Sequence, residues 1–186
     1  MGPLECFEIG TFPAKASSTA KAKTQQFSDL FKAGGAKAPV YDDIQPRRWI
    51  KVAVNAAWNA TTALSLCDDA NFLRSSPEAE DTIIKIYQEV ALIAAAAGYP
   101  GIISDEEIER QMQRSRQRRE TGGKEPSMLT DVKNKRPIEV EAILGNTVRA
   151  ARQYGVEVKY LELLYVLAKA RNFQIAPGDQ WIPLAM

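Results

Sequence analysis

A chain of 186 residues with 45% apolar and 25% charged residues is long enough for a real core and too apolar for disorder, and its net charge of +1 gives no global pull toward nucleic acid or anionic membrane. It holds no histidine and only two cysteines, Cys6 and Cys67, which argues against imidazole triads, His-ligated metals, a zinc site and a disulfide framework, and leaves acid/base work to lysine and the carboxylates. No basic stretch leads an apolar segment, and no run reaches the ~18 apolar residues of a membrane-spanning helix, so the expected setting is the cytoplasm, with no membrane, nucleic-acid or metal partner.

The first elements in the chain have α/β chemistry. "CFEIGTF" (6–12) reads as a strand ended by Pro13. "SSTAKAKTQQFSDLFKAGG" (17–35) reads as a helix with serine caps, Leu30 and Phe31 on its apolar side and a glycine pair to stop it. "AKAPVYDDI" returns to an extended form. This β-α-β stretch, residues 1–45, cannot complete a parallel sheet by itself.

From Pro46 the pattern is helical, and residues 46–186 read as one all-α domain of five or six helices. The run 47–66 is long and apolar. In "SSPEAEDTIIKIYQEVALIAAAAG" Ser76 reads as the N-cap, Pro77 as the first helical residue and Gly98 as the stop, with Ile83, Ile84, Tyr87, Val90, Ala91 and Ala94 inward. "SDEEIERQMQRSRQRRE" opens with Ser104 and Glu107 at capping-box spacing and runs from acidic to basic along its own dipole, so its arginines (114–119) read as a solvated face. "PSMLTDVKNK" gives one or two helical turns after a Gly-Gly loop. A helix from Pro137 to Gly155 turns Ile138, Ala142, Ile143, Val148 and Ala151 inward, and a last helix covers 159–173. Cys67 reads as a small buried hydrophobe, and Trp181 and Leu184 as packing or subunit contacts.

Polar residues interrupt the first long helix at regular intervals. In "KVAVNAAWNA" (51–60) Lys51, Asn55 and Asn59 are spaced by four, and four steps of about 100° return to within ~40° of the same face. A solvated edge normally carries Glu, Lys, Arg and Gln, whereas Asn disfavours helix interiors. The surrounding Val, Ala and Trp imply a helix buried on most sides, so these groups need partners, and a ligand is one. A second group lies in "PSMLTDVKNKRPIEVEAILG". Taken singly, Ser127 reads as an N-cap, Asp131 as a turn residue, and Glu139 and Glu141 as charges favourable to a helix dipole, of which only one glutamate can face inward.

Together, "RRWIKVAVNAAWNATTAL" and "PSMLTDVKNKRPIEVEAILGNTVRAARQYGV" resemble the two signature segments of the ketopantoate reductase (2-dehydropantoate 2-reductase) family's C-terminal domain. The resemblance rests on Trp-x-Lys-x-x-x-Asn-x-x-x-Asn and on Ser-Met-Leu-x-Asp with Glu eight residues after the Asp. It implies a mainly α fold like the C-terminal domain of 6-phosphogluconate dehydrogenase, with residues 1–45 similar to the end of a Rossmann-type nucleotide domain. It further implies an NADP-dependent reduction of ketopantoate to pantoate, within pantothenate and coenzyme A biosynthesis, while the long apolar helices beside an incomplete α/β stub make a homodimer the expected assembly. On that likeness Lys51 is the general acid on the keto oxygen and Glu139 completes its surroundings. Asn55 and Asn59 orient the substrate, Ser127 meets its carboxylate, and Asp131 is a further polar contact.

That chemistry suits the residue types. Hydride addition to a ketone leaves an alkoxide that needs a proton and a nearby positive charge, and a lysine half buried in an apolar groove supplies both. Amides hold orientation without competing for the proton. The sequence departs from the family in two ways: no GxGxxG loop occurs, and "SLCDDANFL" offers Asp68, Asp69 and Asn71 with no secure match to the family's amide-bearing segment. The expectation is a substrate-binding half that does not turn over alone and does not hold NADP tightly. The alternatives are a non-catalytic helical dimerisation or scaffold module, and a reductase for a different 2-keto acid.

Overall fold

The computed structural model describes residues 6–13 and 15–177; Trp181 and Leu184 lie outside these. The chain parts into two compact units between Arg48 and Trp49. The first is a small α/β element. Strands β1 (Ile9–Gly10) and β2 (Val40–Tyr41) pair in parallel with Ile9 opposite Val40, flanking helix α1 (Ser18–Ala33). Ser17 caps α1 by accepting the Ala20 N–H at 3.2 Å, as Ser caps do, and the buried Ser28 hydroxyl ties α1 to the β2 approach by donating to the Ala38 carbonyl at 2.5 Å. Gly10 sits where a Cβ would lie 2.8 Å from the Tyr41 carbonyl oxygen, so strand packing dictates that glycine.

The second unit is helical, which makes the chain mainly α. Its helices are α2 (Gln45–Ser65, within it from Trp49 on), α3 (Asp69–Ser75), α4 (Ala79–Ala96), α5 (Asp105–Thr121), α6 (Ser127–Lys133), a π-helical segment Glu141–Gly145 leading into α7 (Asn146–Gln153), and α8 (Lys159–Ile175). No helix among the described residues is long and apolar enough to cross a membrane. The core joins the alanine side of α2 (Ala53, Ala56, Ala57, Ala60) to Ile83, Ile86, Val90 and Ile93 of α4, Leu144 and Val148 around the π segment, and Leu161 and Tyr165 of α8. Small residues on α2 let neighbouring helices approach closely, and each fully buried Ile, Leu or Val contributes roughly 1.5–3 kcal/mol. The α2 hydroxyls stay satisfied in that interior because Thr61 and Thr62 each donate to the carbonyl four residues back at 2.6 Å.

Several boundaries depart from the sequence reading, each for a local reason. Helix α3 was not expected; because it runs to Ser75, Ser76 becomes its extended C-cap and α4 begins at Ala79 instead of Pro77. Ile83, Tyr87, Val90 and Ala94 of α4 are buried as expected and are joined by Ile86 and Ile93, whereas Ile84 and Ala91 pack at the core's margin. The helix expected from Pro137 starts only after Glu139, and its opening π turn shifts the inward face so that Ala142 is exposed. Cys67 is half-buried just after Leu66, whose left-handed backbone (φ 60°) ends α2. Helix α8 has no capping side chain of its own; Glu89 of α4 accepts the Tyr160 and Leu161 N–H groups at 2.9 and 2.8 Å, and burial raises its pKa against the pull of those bonds.

The π segment is clasped to α8 through Glu141. Its carboxylate accepts from Arg149 and from the Tyr165 hydroxyl, both at 2.8 Å, with Lys169 at 3.4 Å. Burial pushes this carboxyl up, but the bonds from Arg149 and Tyr165 and the Lys169 charge outweigh it and hold the pKa below the ordinary 4.5. A depressed folded-state pKa adds stability that is complete above the unfolded value and lost as pH falls through the folded one. Glu141→Gln is therefore expected to melt below the parent at pH 7, with the gap closing as pH drops through and below about 4.5. A gap that persists undiminished at pH 3 would show that the carboxylate charge is not its source.

Candidate functional site

The lysine–asparagine stripe of α2 forms one wall of a groove of about 750 Å³. With ~6 Å of rise per four residues, the stripe extends over roughly 12 Å. Burial increases along it: Lys51 is exposed, Asn55 half-buried and Asn59 buried at 6%. The lysine is thus wetter than the half-buried position expected for it. Beside the stripe, Trp58 floors the groove with only 6% of its surface exposed, its body belonging to the core. Beneath lies Tyr87 of α4; burial pushes its phenol pKa up, while the Trp58 indole and the charges of Arg114 and Arg118 pull it down.

The opposite wall comes from α5 through Gln111, Arg114, Ser115 and Arg118, and the loop Lys124–Pro126 brings in Ser127. Ser127 is the first residue of α6, with Pro126 at the cap position, so its hydroxyl is not the N-cap that one reading of the sequence gave it. The structure therefore brings Lys51, Asn55, Asn59 and Ser127 to one groove. It does not bring the other two candidates there. Asp131 holds Arg136 at 2.7–2.8 Å, and Glu139 is exposed in the non-helical stretch before the π segment; neither lines the groove.

The arginine run is corrected from a uniformly solvated face to two faces. Arg116 donates to Glu80 at 2.9 Å and to Glu109 at 2.6 Å, and Arg119 reaches Glu80 at 3.1 Å, tying α5 to α4. Arg114 and Arg118, four apart, turn into the groove. The 3.6-residue period was the available signal; the acidic-to-basic gradient along the helix masked it.

A buried carboxylate fastens the groove together. Asp68 caps α3 by accepting the Asn71 N–H at 2.7 Å, which leaves Asp69, only 3% exposed, to join three segments. Its carboxylate accepts the Arg118 Nε–H at 2.7 Å and the Lys124 N–H at 2.7 Å, and its own N–H donates to the Lys124 carbonyl at 3.3 Å. The glycine pair permits this closure: Gly122 has φ 101°, and a Cβ on Gly123 would overlap the Asp68 carboxylate. Acids directly after a long apolar helix are an N-cap signature that could have disclosed α3.

Residues 43–172 match the family described as the ketopantoate reductase PanE/ApbA C-terminal domain. Among relatives, 2-dehydropantoate 2-reductase of Pyrobaculum aerophilum is 32% identical over 145 residues, covering 78% of this chain and 50% of that protein. The enzyme of the same name from Vibrio cholerae is 31% identical over 158 residues, covering 85% and 50%. The crystal structure of 2-dehydropantoate 2-reductase from Methylococcus capsulatus superposes with a TM-score of 0.76 at 28% identity, over 92% of this chain and 53% of that one. The chain spans about half the length of the curated relatives it matches.

Proposed function

The chain belongs to the family of ketopantoate reductase C-terminal domains, and on that footing we propose that it is the substrate-binding half of a 2-keto-acid reductase of the ketopantoate-to-pantoate kind. The observation that carries this reading is the convergence of Lys51, Asn55, Asn59 and Ser127 on one groove from two distant stretches of chain. Lys51 donates the proton to the carbonyl oxygen as it becomes an alkoxide and places a positive charge beside it. The amides of Asn55 and Asn59 hold the substrate's hydroxyl and backbone, and the Ser127 hydroxyl meets its acid end.

NADP, implied as the hydride donor, finds no phosphate cradle on these residues. No glycine-rich loop follows β1, and Gly10 is explained by the neighbouring Tyr41 carbonyl. Asp131 and Glu139, being outside the groove, receive no role in it. A second copy of the chain is proposed as partner, supported by an apolar stripe of α8 left uncovered among the described residues, on which Leu163, Val166 and Phe173 are 59%, 63% and 56% exposed.

Calorimetric titration of the chain with ketopantoate and pantoate tests the reading, with light scattering on the same sample to read the assembly. Saturable binding in roughly the millimolar range is expected, from a dimer, with no NADPH consumption by the pure chain. Absence of any saturable heat would remove the substrate-binding reading and leave the helical scaffold module. Tighter binding of another 2-keto acid would reassign the substrate. A dilute, stable monomer would remove the second copy.

A further inference from the structure

The groove's polar stripe is uncharged apart from Lys51, yet the ligand it is read to bind is an anion. Its charge complement lies on α5, with Lys124 of the following loop as a further cation in the lining. Both acids that line the groove are already engaged, Asp69 by Arg118 and Glu125 by Lys133. Arg114, also in the wall, has as its one hydrogen bond among the described residues the Gln111 Oε1 at 3.2 Å, itself a groove group.

Arg118 is held more firmly. Its Nε and Nη2 are turned onto the Asp69 carboxylate, whose side chain is only 4% exposed, and Nη2 also donates to the Ser115 hydroxyl at 3.0 Å. That leaves Nη1 without a hydrogen bond among the described residues, on a guanidinium whose plane is already fixed. Like charges at i and i+4 on a helix repel, and an anion shared between them relieves the repulsion.

We propose that Arg114 and Arg118 are the specificity-determining residues of this groove, binding the carboxylate of the 2-keto acid together with Ser127, and that Asp69 is the positioning residue that aims Arg118. The proposal rests on the keto-acid reading above and deepens it. It makes α5 the element that separates acids from neutral ketones of the same skeleton.

The test compares ketopantoate with its neutral lactone, titrated onto the 186-residue chain and onto its Arg114→Gln, Arg118→Gln, Arg118→Lys and Asp69→Asn variants, with a thermal melt for each. The parent is expected to favour the acid by roughly tenfold or more, as for a charge-assisted contact. Either glutamine variant should bring the two ligands close to parity by weakening the acid and leaving the lactone within about twofold, with Arg118→Lys recovering part of the preference and Asp69→Asn losing part of it. Acid binding unchanged in both glutamine variants would overturn the arginine assignment while leaving the keto-acid reading intact. Equal loss of acid and lactone would reduce the arginines to structural props and overturn it as well. No binding of either ligand by the parent would overturn both readings together.

Discussion

Trp58→Ala is expected to lower the unfolding free energy by about 4 kcal/mol, within the ~3–5 kcal/mol typical of buried Phe or Trp truncation. The indole is 6% exposed and belongs to the core that joins α2 to α4, so truncation opens a void beside Tyr87 and removes the groove floor in one step. Its helical neighbours on α2, Val54, Asn55, Thr61 and Thr62, are all much smaller than an indole and cannot refill the space. Denaturant titration reads the effect as a shift in midpoint at constant slope. Trp58→Phe should be markedly milder. A loss below about 1.5 kcal/mol for the alanine variant would mean that the indole lies over the core without being packed into it.

The second large effect is expected from Asp69→Ala, at about 3 kcal/mol. Breaking a buried ion pair from one side costs ~3–5 kcal/mol because the surviving charge is stranded, and the one-third exposure of Arg118 tempers this toward the low end. The Lys124 N–H loses its acceptor as well, so the loop that presents Ser127 is released. A double-mutant cycle with Arg118→Ala separates the two contributions: with Asp69 already gone, removing the arginine should cost little. Strictly additive losses would show that the pair does not couple, and the carboxylate would then act only through the Lys124 backbone.

The sequence discloses the groove unevenly. The α2 stripe is legible because three polar residues at a spacing of four stand out against Ala, Val and Trp, and burial forces such a pattern to mean something. The opposite wall is not, because Arg114 and Arg118 are embedded in a run whose other arginines answer Glu80 and Glu109 on a different face. Asp69 escapes for another reason: its importance comes from Lys124 and Arg118, 55 and 49 residues away, and no local pattern encodes a partner that distant. The π turn had a signal. Ile143 and Val148 are both buried five residues apart, too wide for one face of an α-helix and suited to a stretch with an extra residue in its turn. The misplaced start of α4 follows from missing α3, since Ser76 suits a helix start only where no preceding helix claims it.

The groove's two sides come from separate helices, α2 and α5, and the buried Asp69 carboxylate ties α5 to α3 and to the Lys124 loop, so the sides can change independently. Residues on α5 turn over without disturbing the backbone that carries Lys51, and a lineage could re-address the pocket to a new guest by editing one face of one helix while its chemistry stays where it was.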